Sequence, residues 1–274
     1  MKRWLITGAS SGLGYECCQQ LLQRGDSVVA TVRKPGALDA LSARYGARLQ
    51  VILMDVTDNE AIRTGVEQAF ADGARIDVVI SNAGYGLFGA AEELSDAQIA
   101  RQLATNLTGS IQLIRAVIPR LRQQGGGRIV QISSEGGQIA YPNFSLYHAT
   151  KWGIEGFVEA VAQEVAAFGI DFILAEPGPT STGFASGLDY AEPLACYQHT
   201  ASGEMRRALA SGEFAIKGDA ARTVALIIAW SDSQRPPLRL PLGSTAFTHI
   251  RDALRQRLNE LEPLEQDAYR ADGV

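Results

Sequence analysis

The first 24 residues constrain the fold most. A short apolar strand, Trp4-Leu5-Ile6, runs into the turn Thr7-Gly8-Ala9-Ser10-Ser11-Gly12-Leu13-Gly14, and helical spacing follows from Tyr15 to Arg24. Glycines let a backbone approach a pyrophosphate closely, and the free amides at a helix N-terminus turn the positive end of the dipole towards it. The spacing Gly-x-x-x-Gly-x-Gly is wider than the Gly-x-Gly-x-x-Gly fingerprint, and a bare glycine run marks no more than a tight turn. Strand, turn and helix in this order favour dinucleotide binding over that plainer reading.

The remainder repeats the alternation. Strand patterns recur at 27–32, 49–54, 76–80, 127–132 and 171–175, with helical patterns at 58–70, at 95–122 and from Tyr147 through Ile154, Val158, Val161 and Val165. Residues 237–242 read as an edge strand because of Pro237 and Pro241, between helices at 220–230 and 245–261. The expectation is an α/β fold: one doubly wound domain over 1–262, its sheet mostly parallel with right-handed connections. From about 178 to 218 the pattern loosens into a segment suited to a substrate loop, and 263–274 read as a tail.

Composition narrows the function classes. With 46% hydrophobic and 20% charged residues and a formal net charge of −5, the chain reads as a globular protein with no electrostatic reason to hold nucleic acid or an anionic membrane. Cys17, Cys18 and Cys196 form neither a disulfide framework nor a metal-ligand spacing, so no metal is expected and a reducing, cytoplasmic setting is. The apolar run after Met1-Lys2-Arg3 is too short for a signal-peptide core, and no run approaches the ~20 residues that span a bilayer.

Candidate site residues fall at strand ends, where open α/β sheets bind ligands. The second strand ends at Val32-Arg33, about 20 residues past the glycine turn, where an acid would bind the ribose of NAD. An arginine there suits the extra phosphate of NADP, or is a solvated strand end. Asp55, followed by Val56-Thr57, either meets an adenine edge or caps the next helix. Ser81-Asn82-Ala83-Gly84 follows a buried strand and suits a wall beside a cofactor. Ser95 with Gln98 forms a capping box. Asn106 lies on that helix's apolar stripe, where it either braces the fold or holds water. Ser133-Ser134-Glu135-Gly136-Gly137 leaves the strand at 127–132.

Tyr147 and Lys151 stand four apart in a helical pattern, so both lie on one face. A free phenol titrates near ~10, and a neighbouring ammonium favours the phenolate, which turns Tyr147 into a usable proton donor to a carbonyl oxygen or acceptor from an alcohol. The plainer reading is an aromatic ring packed under a lysine stem.

Together, the glycine turn, Asn82-Ala83-Gly84, Asn106, Ser134, Tyr147 with Lys151, and Pro177-Gly178 followed by Thr182 resemble the short-chain dehydrogenase/reductase family, in family order from residue 1 to about 182. The resemblance implies a Rossmann fold with a seven-stranded sheet. It makes Tyr147 the general acid/base, gives Lys151 the tasks of tuning it and binding the nicotinamide ribose, and has Asn106 hold a relay water. Ser134, thirteen residues before the tyrosine, would bind the substrate oxygen, with Ser133 as the competing choice. Gly8, Ser10, Ser11, Gly12, Leu13, Gly14, Arg33, Asp55, Val56, Asn82, Ala83, Gly84, Pro177, Gly178, Thr180 and Thr182 would line the cofactor. NADPH is favoured over NAD by Val32-Arg33, although Ser11 is not the basic residue some NADP-preferring members carry in the turn.

Glu135 departs from the family's small or apolar filler, and either points to solvent or pairs with a nearby arginine, or else charges the substrate pocket and favours a polar or cationic substrate. Phe184 is a further substrate candidate. Tyr85, Leu87, Phe88, Tyr141, Phe144, Leu188 and Tyr190 suggest a partly apolar pocket for a small carbonyl or alcohol. The family's habit of pairing implies a homodimer or homotetramer. Two rivals are a sensor that binds NADP without turnover, against which the intact Tyr147, Lys151 and Ser134 speak, and a nucleotide-sugar epimerase or dehydratase, for which about 90 residues after Thr182 are few.

Overall fold

The computed structural model describes residues 1–273 apart from 213–215, and the side chain of Asp72 is not described. Seven strands form one sheet: β1 (Arg3–Ile6), β2 (Ser27–Val32), β3 (Leu49–Leu53), β4 (Val78–Ser81), β5 (Gly127–Ile132), β6 (Ile170–Pro177) and β7 (Arg239–Leu242). Their order is β7-β6-β5-β4-β1-β2-β3, and every pairing is parallel. The strand order reverses between β1 and β4, which opens the crevice where doubly wound sheets bind ligands.

Side-chain parity builds the two cores. Trp4, Ile6, Val28, Ala30, Val78, Ile80, Ile173 and Ala175 face one side and bury Cys17, Cys18, Leu21 and Leu22 of α1 (Gly12–Arg24) and helix Ala220–Asp232. Leu5, Val29, Val79, Phe172 and Leu174 face the other and bury α3 (Asn59–Ala69), α5 (Gly109–Gln123) and α6 (Ser145–Val165). Strands covered on both faces lose polar alternation and read as apolar runs. A short helix, α2 (Asp39–Tyr45), was not anticipated.

Three differences from the sequence reading have local causes. The helix expected over 95–122 begins as foreseen, with Ser95 and Gln98 capping each other, but α4 (Asp96–Leu103) gives way to a π turn at Ala104–Thr108 before α5. Asn106 lies in that turn, its side chain directed inward. The helix expected from 58 is capped by Asp58, whose carboxylate accepts from the amides of Glu60 and Ala61. Asp55 instead accepts from the Thr57 amide and hydroxyl, so it is not the cap. The loosened segment holds its own structure: two-residue strands at Thr180–Ser181 and Asp189–Tyr190, and α7 (Ala201–Ser211), capped by Thr200.

Beyond these lie α8 (Ala220–Asp232), β7 on the sheet edge as its prolines foretold, α9 (Ser244–Leu261) and a terminal turn of helix, α10 (Glu265–Tyr269). Among the described residues no helix is long and apolar enough to cross a membrane, and no cluster of metal-ligating side chains forms.

Candidate active site

The C-terminal ends of β1, β2, β4, β5 and β6 open into one cleft of about 960 Å³. Every proposed cofactor position from Gly8 to Thr182 lines it except Gly14, which sits directly behind. The two serine-loop candidates, Ser133 and Ser134, line it with Tyr147 and Lys151.

The glycine turn is built by close approach. Gly8 has φ +64°, and a Cβ there would lie 2.8 Å from the Ala83 Cα. A Cβ on Gly14 would stand 2.4 Å from the Gly8 carbonyl oxygen and 2.5 Å from Asn82 Nδ2. Asn82 closes the same corner: its Nδ2 donates to the carbonyls of Thr7 (2.9 Å) and Gly8 (3.1 Å), and its amide donates to Thr7 Oγ1 at 3.0 Å. Gly12, at φ +56°, faces across the cleft to Thr182, with nothing else near its missing Cβ. This corner offers open backbone at a helix N-terminus and suits a pyrophosphate. Arg33 is exposed at the end of β2 on the cleft wall, and Asp55 lies opposite. The Asp55 carboxyl is held below its usual range by the Thr57 amide, the Thr57 hydroxyl and the Arg33 charge.

Tyr147 enters the cleft from the first turn of α6. Burial pushes its phenol up to about 12, a hydrogen bond with Ser134 acts against this, and the Glu135 charge adds to it. Lys151 lies one turn on, its Nζ 5.6 Å from the Tyr147 ring centroid and donating to the Ile132 carbonyl at 2.9 Å. Burial pulls this ammonium down to about 8, opposed by Glu155. The phenol is therefore protonated at neutral pH, and burial outweighs the downward pull expected of the Lys151 ammonium.

The adjacent serines point to opposite fates. Ser134 Oγ accepts from the Gly136 amide at 3.0 Å and turns towards Tyr147. Ser133 Oγ turns away, into a buried hydrogen bond of 2.5 Å to Glu155 Oε1. Asn106 clasps the backbone of Tyr85, its Oδ1 accepting from the amide at 3.0 Å and its Nδ2 donating to the carbonyl at 2.8 Å. The side chain is therefore a brace. Glu135 neither points to solvent nor pairs with an arginine: it is buried, Tyr141 Oη donates to its Oε1, and its Oε2, without a hydrogen bond among the described residues, lies 3.3 Å from His249 Nδ1.

His148 was missed from sequence. Its Nε2 accepts from the Tyr141 amide at 2.8 Å while its Nδ1 meets the Gly136 carbonyl at 2.8 Å, a neutral ring fixing both ends of the serine loop to α6. Burial holds its pKa below the usual value, in keeping with that tautomer. A polar ring inside the motif Tyr147-His148-Ala149-Thr150-Lys151, with the serine loop just upstream, was the available signal.

The side of the cleft away from the glycine turn is largely apolar and aromatic. Tyr85, Tyr141, Phe144, Phe184, Leu188, Leu209 and Ile216 line it, and the Phe184 ring stands edge-on to Tyr147 at 5.7 Å. Leu87 and Phe88 do not line it, being buried in a two-stranded pairing with Asp189–Tyr190, and Tyr190 packs on Phe88 from outside.

A parallel sheet that opens a glycine-lined cleft at its switch point, with Tyr147 and Lys151 on its wall, defines a doubly wound α/β fold of the Rossmann type. A family model described as short chain dehydrogenase matches residues 2–192, and the chain belongs to that family of oxidoreductases. It is 39% identical over 252 residues to "Oxidoreductase BOA17" of Botryotinia fuckeliana, covering 90% of this chain and 91% of that one. It is 38% identical over 188 residues to a 3-ketodihydrosphingosine reductase of Bacteroides thetaiotaomicron, covering 69% and 67%. A crystal structure of a short-chain dehydrogenase from Streptomyces avermitilis superposes with a TM-score of 0.91 at 36% identity, over 99% of this chain and 100% of that one.

Proposed function

We propose that the protein reduces a carbonyl, or oxidises the matching secondary alcohol, with NADP(H) and with Tyr147 as general acid/base. The observation that carries this reading is the convergence of Tyr147, Lys151 and Ser134 on one wall of the glycine-lined cleft. Bound reduced nicotinamide supplies the hydride that reaches the carbonyl carbon. Tyr147 gives its proton to the oxygen, so the C=O bond becomes CH–OH. Ser134 donates a hydrogen bond to that oxygen as charge develops. Lys151 holds an ammonium that would stabilise the tyrosinate and would donate to the ribose hydroxyls of a bound cofactor. Asn106, its side chain spent on Tyr85, would hold a relay water only through its backbone.

Ser10, Ser11, Leu13, Val56, Ala83, Gly84, Pro177, Gly178, Thr180 and Thr182 would complete the dinucleotide's lining, and Arg33 would meet the 2′-phosphate, which favours NADP over NAD. Phe184, with Glu135 behind Tyr141, borders the substrate, and segment 178–218 is the substrate loop of a single domain over 1–262 with a short tail. The setting we favour is the cytoplasm, and the assembly a homodimer or homotetramer.

The test is a fluorescence titration with NADPH and NADH, then a carbonyl panel followed by loss of reduced-nicotinamide absorbance. Tight NADPH binding is expected, with turnover that falls by about 10³-fold in Tyr147→Phe while the NADPH Kd is unchanged. Turnover that survives Tyr147→Phe would remove Tyr147 from the chemistry, and a preference for NADH would remove Arg33 from recognition.

A further inference from the structure

Beneath the serine loop lies a charged cluster that the acid/base reading leaves unused. Glu155 is 2% exposed and stands one turn beyond Lys151 on α6. It receives the Ser133 hydroxyl at 2.5 Å and the Arg239 guanidinium from β7. The same Arg239 Nη1 reaches Glu176 Oε1 at 2.7 Å, at the end of β6, and its Nη2 reaches Glu159 Oε1 at 2.8 Å. Gln138 Nε2, from the far end of the serine loop, donates to Glu176 Oε2 at 2.8 Å. Glu176 is fully buried and immediately precedes Pro177-Gly178.

Space has been cleared for this carboxylate. A Cβ on Gly137 would lie 1.8 Å from Glu155 Oε1, so the loop backbone rests directly on it. Three walls of the cleft therefore meet at Glu155: the loop carrying Ser134, the helix carrying Tyr147 and Lys151, and, through Arg239, the strand end carrying Pro177-Gly178. A buried carboxylate matched by a single shared guanidinium is costly to keep unless the geometry it fixes is worth more than an apolar filler.

We infer that Glu155 is a positioning residue for the reaction proposed above. It clamps the Ser134 loop to the catalytic helix and keeps Lys151 in its cationic form. The inference rests on that reading of Tyr147 and Lys151. The groups facing Glu155 are Lys151 and Glu159 on its own helix, Ser133 and the Gly137 backbone from the loop, Glu176 from β6 and Arg239 from β7. Lys151 is the neighbour whose charge state the chemistry uses, and burial alone pulls that ammonium towards neutrality. A carboxylate one turn away opposes this.

The chain has four lysines, at 2, 34, 151 and 217. Labelling lysine at 13Cε gives four resonances, and Lys151→Arg identifies the one that matters. In Glu155→Gln the Lys151 midpoint is expected about one pH unit below that of the unaltered protein, with the other three unmoved. The alkaline fall in the reduction rate should move with it. Glu155→Asp, which keeps the charge, should restore most of the midpoint. An unmoved midpoint in a folded Glu155→Gln protein overturns the inference, as does an Asp variant that behaves like Gln. Should Glu155→Gln fail to fold, Ser133→Ala carries the test, because it releases the loop without altering a charge. Its reduction rate should fall about tenfold at an unchanged NADPH Kd, and an unaltered rate overturns the clamp. Absence of turnover in the unaltered protein would count against the function proposed above and not against this placement, which the Lys151 midpoint decides by itself.

Discussion

The two sides of the cleft are made differently. The dinucleotide side is fixed by backbone contact: Gly8 against Ala83, Gly14 against the Gly8 carbonyl, Asn82 laced to Thr7 and Gly8. The substrate side is fixed by side chains that reach across long stretches of sequence. Asp189 is held by Arg101 and by Gln98 at 3.1 Å, Glu93 takes Arg206 and the Leu194 amide, and Asn143 Nδ2 donates to the Ser202 carbonyl. A backbone contact tolerates no added atom, whereas polar pairs distributed over several side chains loosen by degrees.

Breaking the backbone-made side should have the largest effect. Gly14→Ala sets a methyl 2.4 Å from a carbonyl oxygen that belongs to the turn itself. The backbone must move, at about 1–3 kcal/mol, and NADPH affinity should fall by roughly 100-fold in a fluorescence titration. Affinity like that of the unaltered protein would mean that the turn yields without consequence and that the two sides are alike.

Arg33→Ala comes next, because it removes one charged contact and leaves the backbone intact. Hydrogen bonds to charged groups contribute about 1.5–3 kcal/mol, so NADPH affinity should drop by roughly 10- to 100-fold while NADH affinity stays level. Equal losses for both cofactors would show that Arg33 supports the wall and does not read the phosphate.

This contrast also explains what the sequence disclosed. Backbone-made features leave a mark at fixed spacing, so the turn 7–14, Asn82-Ala83-Gly84 and the alternating strands could be read directly, and the parallel sheet followed from apolar runs covered on both faces. Tyr147, Lys151 and Ser134 could be singled out because the proton transfer proposed for them restricts the residue types that serve, and the fold brings all three to the cleft. His148 and Glu155 could not, since each acts through a partner that only folding brings near: Gly136, twelve residues before His148, and Arg239, eighty-four after Glu155. Spacing from Tyr147 favoured Ser134 over Ser133, and the buried hydrogen bond of the Ser133 hydroxyl to Glu155 adds a reason that only folding supplies. The π turn at Asn106 was hidden for a similar reason, because an asparagine on an apolar stripe has the same letter whether it braces Tyr85 or binds water. The apolar pocket candidates divided, with Leu87, Phe88 and Tyr190 taken up in a short strand pairing while Tyr85, Tyr141, Phe144, Phe184 and Leu188 line the cleft.

The smallest expected effect lies on the substrate side, at Asp189. The Arg101 side chain that grips it is mostly exposed, and exposed ion pairs contribute only about 0.2–1 kcal/mol. The segment has other holds: the Asp189 amide donates to the Gly86 carbonyl at 2.9 Å, the Ala191 amide donates to the Phe88 carbonyl at 2.9 Å, and Phe184 and Leu188 fill the space that Gly86 leaves open. Asp189→Asn should therefore raise the KM for a carbonyl substrate about two- to fivefold, leave kcat within a factor of about two, and leave NADPH affinity unchanged. A loss as large as that from Gly14→Ala would mean that this one pair, and not the distributed contacts, holds the substrate wall. An unaltered KM would assign the hold to the short parallel pairing and the Gly86 contact, and Gly86→Ala, with its Cβ 2.4 Å from Leu188 Cδ2, would then be the substitution that opens this side.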